Sequence, residues 1–331
     1  MIDCLSNPNW ISPQIDFLLF LQQYRVGILE HFDKFFLSIT TFGEYWFPSL
    51  LAAIVYWCID FRAGIYLFSL EGINALLSHL LKMIACVYRP WVLDSRINPS
   101  ELAVPYAKGY SFPSGHSSMS SSVIGGLAYL LRKHKIICTL LICLVLLIGF
   151  SRMWLGVHTP QDVIGGFSIG LILIFAINKI INLAEQNKKI YWYFLGIINV
   201  LTVLSLIYVC YFNTYRMDYI NGELLVDPKQ SIYLTFVIFG YGLGLINGCF
   251  LCRLLCPFEI KDIPIKTRVL RGVIGGLGIF VLLKLAFNYI IMNTFPMRYA
   301  ILGTFLIGIT ITLFYPLIFT CVEKILKLDK N

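Results

Sequence analysis

Charge is scarce in this chain: Asp, Glu, Lys and Arg make up 13% of its 331 residues, against about 25% in an ordinary soluble domain. That shortage excludes a single soluble core. The hydrophobic residues, 58% of the total, run from end to end in blocks of about twenty, the length that crosses a bilayer. An all-α, polytopic transmembrane helical bundle is therefore expected. The +8 net charge lies mostly in short connections between apolar blocks, which excludes a DNA-binding module or a disordered scaffold, so no nucleic-acid partner is expected. The N-terminus, Met-Ile-Asp-Cys-Leu-Ser-Asn-Pro, lacks a basic n-region and a small-residue cleavage site, so insertion is expected to start from an internal segment. Ten cysteines would suggest disulfides in a small secreted chain, but Cys58, Cys86, Cys138, Cys143, Cys210 and Cys321 sit in or beside apolar blocks, where a thiol behaves as a small hydrophobe. Cys249, Cys252 and Cys256 lack a histidine or acidic partner at zinc spacing. Free thiols, no metal and no cofactor are expected.

Residues 1–34 form an N-terminal segment in which Ile15, Leu18, Leu19 and Val26 alternate with Gln22, Gln23 and Arg25, the pattern of an amphipathic helix at the membrane interface. Nine spans follow, at 35–59, 63–88, 113–131, 136–155, 162–181, 191–212, 232–255, 269–292 and 298–322. Five of them fall in residues 35–182 and four in residues 183–331. Fifteen of the 26 Lys and Arg residues collect on one side, at Arg62, 132–135, 179–189, 253–271 and the tail Lys324, Lys327 and Lys330. The positive-inside rule then puts the C-terminus in the cytoplasm and the loops 89–112, 156–161 and 213–231 outside, with the plasma membrane as the expected location.

Charges near membrane depth need a partner or a function, and three places collect them. The second span ends Lys82-x6-Arg89-Pro90, an offset close to two helical turns that would set both cations on one face. Snorkelling to headgroups fits Arg89 as well, and the deeper Lys82 less so. The third span opens Pro113-Ser114-Gly115-His116. Its helix start offers exposed N–H groups and the Ser114 hydroxyl to an anion; taken alone, it reads equally as an ordinary capped helix. The fourth span ends Ser151-Arg152-x5-His158-x3-Asp162. Asp162, four residues beyond His158, is within reach of its imidazole, which suits a nucleophile or base as well as it suits a capping Asp beside an exposed His. By the orientation argument all three segments meet at one extracytoplasmic pocket.

Together these segments resemble the three-part signature of the type 2 phosphatidic acid phosphatase superfamily, which includes lipid phosphate phosphatases, isoprenoid-diphosphate phosphatases, glucose-6-phosphatase and vanadium haloperoxidases. The resemblance covers residues 35–182, and the nine-span layout is similar to that of glucose-6-phosphatase. It implies that His158 attacks phosphorus to form a phosphohistidine, that Asp162 holds the other ring nitrogen, and that His116 protonates the leaving oxygen and later activates water. Lys82, Arg89, Ser114, Gly115 and Arg152 would bind the phosphate oxygens, with no metal. The implied activity is that of an integral membrane phosphatase, a phosphoric ester or diphosphate hydrolase, acting on a lipid phosphate monoester or an isoprenoid diphosphate. Its partners would be that phosphorylated lipid and the surrounding membrane lipids, with the oligomeric state open. A sugar-phosphate phosphatase and a lipid phosphotransferase are the alternatives within enzymes, and a transporter is the alternative outside them. Glu71 and His79, on the face of Lys82, and Lys284 with Asn288 fit a relay or headgroup site on one reading and structural hydrogen bonds on the other.

Overall fold

The computed structural model describes residues 8–27, 32–215, 217–220, 223–256, 258, 260, 263–292 and 295–326. Three of the basic residues that set the orientation, Lys261, Lys327 and Lys330, lie outside them, as does the side chain of Val26. Helices dominate: α1 Pro8–Gly27, α2 Phe32–Thr40, α3 Trp46–Ile54, α4 Phe61–Ala85, α5 Pro90–Leu93, α6 Gly115–Leu130, α7 Lys135–Trp154, α8 Pro160–Gln186, α9 Lys189–Ile207, α10 Pro228–Leu255, α11 Ile265–Phe280, α12 Asn288–Met292, α13 Met297–Ile309 and α14 Tyr315–Leu326. The described β-structure is a short antiparallel pair, β1 Tyr219–Ile220 with β2 Glu223–Leu224.

Among the described residues, seven stretches are long and apolar enough to cross a membrane, and an eighth is added if the broken pair Phe32–Gly43 and Trp46–Ile59 is one span. The chain is a multi-pass helical membrane protein. The third expected span, 113–131, contains the 16-residue α6, about 24 Å long against a hydrocarbon core of about 30 Å. Ser117, Ser118, Ser120, Ser121 and Ser122 on it are all buried, which suits a helix packed against protein better than one facing lipid tails.

Two compact units separate. One takes in the residues up to Glu44, Leu77–Leu171 and Ser205–Thr235; the other takes in Tyr45–Leu76, Ile172–Leu204 and Phe236 onward. Each is built from non-contiguous stretches, and the segment 35–182 contributes to both. In the second unit, polar side chains satisfy one another across helices. Glu71 accepts hydrogen bonds from Ser49 and from the Tyr241 hydroxyl, the latter at 3.1 Å. Arg271 donates two bonds of 2.6 Å to the Glu323 carboxylate, and Asn199 Nδ2 donates to Asn247 Oδ1 at 3.0 Å. Lys284 sits 5.2 Å from the Trp46 ring centroid. The described cysteines are free.

In the first unit, α1 packs one face on protein. Ile15, Leu18 and Leu21 are buried while Trp10, Phe17, Phe20 and Tyr24 are exposed. Its polar residues turn toward protein: Gln22 Nε2 donates to the Arg96 carbonyl at 3.0 Å, and buried Arg25 donates to the carbonyls of Trp154, at 3.2 Å, and of Asn98. A guanidinium among the last carbonyls of α7 answers both their unmet hydrogen bonds and the negative end of the helix dipole.

Candidate functional site

The eight residues singled out by spacing all lie in the first unit, and local chemistry explains how each reaches the centre. Helix α6 starts where Ser114, in extended conformation, caps it by accepting from the Ser117 N–H at 3.4 Å. The Ser114 N–H donates to the Asp162 carbonyl at 2.9 Å, and Ser121 Oγ donates to the Gly166 carbonyl at 3.3 Å. These bonds register the start of α6 against the start of α8. Helix α7 ends at Trp154, and Gly156 at φ 69° turns the chain toward His158. A side chain there would be strained and would crowd Pro99 and Arg25. Helix α8 then begins with Pro160 at its first position, where the missing N–H is no loss.

Arg89 reaches the site by a route that the seven-residue spacing does not describe. Helix α4 stops at Ala85, Cys86 takes a left-handed φ of 48°, and Arg89 lies in extended backbone. Lys82 and Arg89 therefore do not share a helix face. Arg89 is delivered by the turn, so its charge is fixed by tertiary contacts. Its Nε donates to the Gly109 carbonyl at 3.2 Å, Nη2 to the Lys108 carbonyl at 3.1 Å, and Nη1 to the Val157 carbonyl at 2.9 Å. Lys82 Nζ directs its protons to three carbonyls, those of Tyr110, Ser111 and Pro113, at 2.9, 3.0 and 3.0 Å.

His158 is the hub. Its Nδ1 lies 3.3 Å from Asp162 Oδ2, and its Nε2 lies 2.8 Å from Arg89 Nη1. Burial, and after it the positive charges of Arg89, Arg152 and Lys82, holds the imidazole well below the ordinary histidine range, so the ring is neutral. A neutral ring with its Nδ1–H toward Asp162 carries its lone pair on Nε2, the nitrogen that faces the cations. Asp162 is fully buried; its Oδ2 also accepts from Ser111 Oγ at 2.6 Å and from the Thr159 N–H at 2.8 Å. Arg152, 2% exposed, donates from Nη1 to Thr40 Oγ1 at 3.0 Å, while its buried Nε has no protein partner. His116 stands in the first turn of α6, next to the Ser114 cap. Among the described residues, no group of three or more His, Cys, Asp and Glu side chains is placed to hold a metal ion.

Two contributors carry no sequence signal. Ser111 precedes the Pro-Ser-Gly-His run by two residues and looks like loop, yet it bonds Asp162 and lies 3.2 Å from His158 Nδ1. Thr40 is more than a hundred residues from Arg152, in an apolar stretch with no motif. Their roles come from tertiary packing, which residue spacing does not encode.

The fold and the cluster define a multi-pass membrane protein in which buried cationic side chains gather around a histidine held toward a carboxylate. Residues 62–186 match the family model of the PAP2 superfamily. The chain is 34% identical over 122 residues to phosphatidylglycerophosphatase B of Bacillus subtilis, covering 34% of this chain and 56% of that protein. It is 33% identical over 114 residues to an undecaprenyl-diphosphatase of Sulfolobus acidocaldarius, covering 34% and 53% respectively. The chain thus spans about half the length of these two relatives. A crystal structure of a transmembrane PAP2 type phosphatidylglycerolphosphate phosphatase from Bacillus subtilis aligns with a TM-score of 0.44 and 24% identity, over 56% of this chain and 92% of that one.

Proposed function

We propose that the protein is an integral membrane phosphatase that hydrolyses a lipid phosphate, either a monoester or the terminal phosphate of an isoprenoid diphosphate, through a phosphohistidine and without a metal. The observation that carries the reading is the geometry of His158, with Nδ1 held toward the Asp162 carboxylate and Nε2 turned to the guanidinium of Arg89. In that arrangement the Nε2 lone pair attacks phosphorus while the bond to the leaving oxygen breaks. His116, protonated when the phosphate dianion offsets the cations around it, gives that proton to the leaving oxygen, then removes one from the water that attacks the phosphohistidine, which returns His158 and releases phosphate. Arg89, the unpartnered Nε of Arg152, the Ser114 hydroxyl and the Gly115 N–H at the start of α6 bind the phosphoryl oxygens. Lys82, whose protons are directed at carbonyls, contributes its charge.

The substrate class follows from the setting and from the names of the relatives, which are phosphatases or diphosphatases of membrane lipids. A site at the ends of spans lets a lipid tail stay in the bilayer while its phosphate enters. The distribution of basic residues supports a site on the extracytoplasmic face and a C-terminus in the cytoplasm, as expected for a plasma-membrane enzyme. Purified protein should release phosphate from at least one of phosphatidic acid, phosphatidylglycerol phosphate and undecaprenyl diphosphate, and not from glucose 6-phosphate. Release from glucose 6-phosphate alone would favour a sugar-phosphate enzyme, and release from none would overturn the reading.

A further inference from the structure

The break that follows α2 reaches the site, although no motif marks it. Thr40, 2% exposed, closes α2, and residues Thr41–Gly43 continue as a single 3-10 turn. Thr40 Oγ1 is the acceptor for Arg152 Nη1 at 3.0 Å. Three residues on, buried Gly43 lies against the first turn of α6: a Cβ built on it would be 3.1 Å from both the Cβ and the carbonyl oxygen of His116 and 3.0 Å from Ile148 Cγ2. Contacts that close oblige the neighbour to give by a few tenths of an ångström.

We propose that Thr40 and Gly43 are positioning residues of the phosphate site, Thr40 by aiming the guanidinium of Arg152 and Gly43 by leaving His116 room to stand where the leaving oxygen needs its proton. This rests on the phosphatase reading above. With one Nη1 proton spent on Thr40, the planar guanidinium is fixed in rotation, and its unpartnered Nε is presented as an anion donor. The break in the first helical pair brings both contacts together, because a 3-10 turn sets residues three apart on one edge.

The test uses the full-length, detergent-solubilised protein and two substrates, a lipid phosphate with a poor alkoxide leaving group and nitrophenyl phosphate with a good one. Gly43→Ala displaces His116 and should lower kcat on the lipid about tenfold while leaving nitrophenyl phosphate within about twofold, since small misplacements of a catalytic group are expensive and a good leaving group hardly needs the acid. Thr40→Val removes the acceptor and should weaken competitive inhibition by inorganic phosphate about tenfold, with Thr40→Ser restoring it. Equal losses on both substrates in Gly43→Ala, or unchanged phosphate inhibition in Thr40→Val, would overturn the inference, because a merely structural role moves thermal stability and all substrates together. If wild type turns over and His116→Ala separates the two substrates while Gly43→Ala does not, the inference falls alone. If wild type hydrolyses neither substrate, the phosphatase reading falls and takes the inference with it.

Discussion

Replacing Asp162 by asparagine tests the role of its charge, and the surroundings decide how the amide must sit. Oδ2 faces three donors, the Ser111 hydroxyl at 2.6 Å, the Thr159 N–H at 2.8 Å and the His158 ring at 3.3 Å; Oδ1 is buried with no partner. An amide NH2 placed at Oδ2 would confront all three donors, so the carbonyl oxygen takes that position and the NH2 replaces Oδ1. The tautomer of His158 is then kept, and what disappears is the negative charge opposite a ring that becomes cationic as it bonds phosphorus. The loss lies between the surplus of a charged over a neutral hydrogen bond, about 1.5 kcal/mol, and the attraction of unit charges near 4 Å at an effective dielectric of 20, about 4 kcal/mol. That corresponds to about a ten- to thousandfold fall in kcat. Steady-state turnover of a lipid phosphate, with the rate of phosphoenzyme formation by rapid quench, measures it. A variant within threefold of wild type would refute the carboxylate's role. A fall beyond about 10⁴-fold would mean that the tautomer had switched, as when an aspartate orienting a catalytic histidine is replaced in a protease triad.

Three further outcomes are expected. His158→Ala should abolish turnover and the phosphoenzyme, whereas His116→Ala should spare nitrophenyl phosphate and lose about a hundredfold or more on lipid; equal losses on both substrates would remove the acid role from His116. Activity should persist in excess chelator and be inhibited by vanadate, whose trigonal bipyramid suits an in-line nitrogen nucleophile among cations, and recovery of a chelated enzyme by magnesium would refute the metal-free route. In intact cells an impermeant thiol reagent should label a cysteine replacing exposed Glu101 and spare one replacing exposed His134; the reverse pattern would put the site in the cytoplasm.

What spacing could and could not reveal divides along physical lines. His158 and Asp162 are legible because both their separation and their contact are local: four residues across a helix start bring an imidazole to a carboxylate. Ser114 with Gly115 is legible for the same reason, as a cap. Arg89 was legible as a residue and not as a geometry, since the helical register that would align it with Lys82 ends at Ala85. The three carbonyls around Lys82, the Ser111 bond to Asp162 and the Thr40 bond to Arg152 are long-range contacts, invisible to periodicity. Helix α6, expected within a span over 113–131, runs over Gly115–Leu130, and its run of buried serines, which spacing does not reveal as buried, marks a helix packed against protein.

Helix α1 grips both ends of the turn that carries His158. At its start, Trp10 Nε1 donates to Gln161 Oε1 at 2.6 Å and Gln14 Oε1 accepts from the Gln161 N–H at 2.8 Å; near its end, Arg25 holds the Trp154 carbonyl at 3.2 Å. It therefore splints residues 154–161 from outside the stretch that carries the recognisable motifs. A fragment cut at the motif boundaries would keep every residue assigned to chemistry and still leave the histidine turn without its external brace. A fragment that keeps this brace includes Trp10, and affinity tags or fusion partners set directly against that helix would bear on the histidine turn.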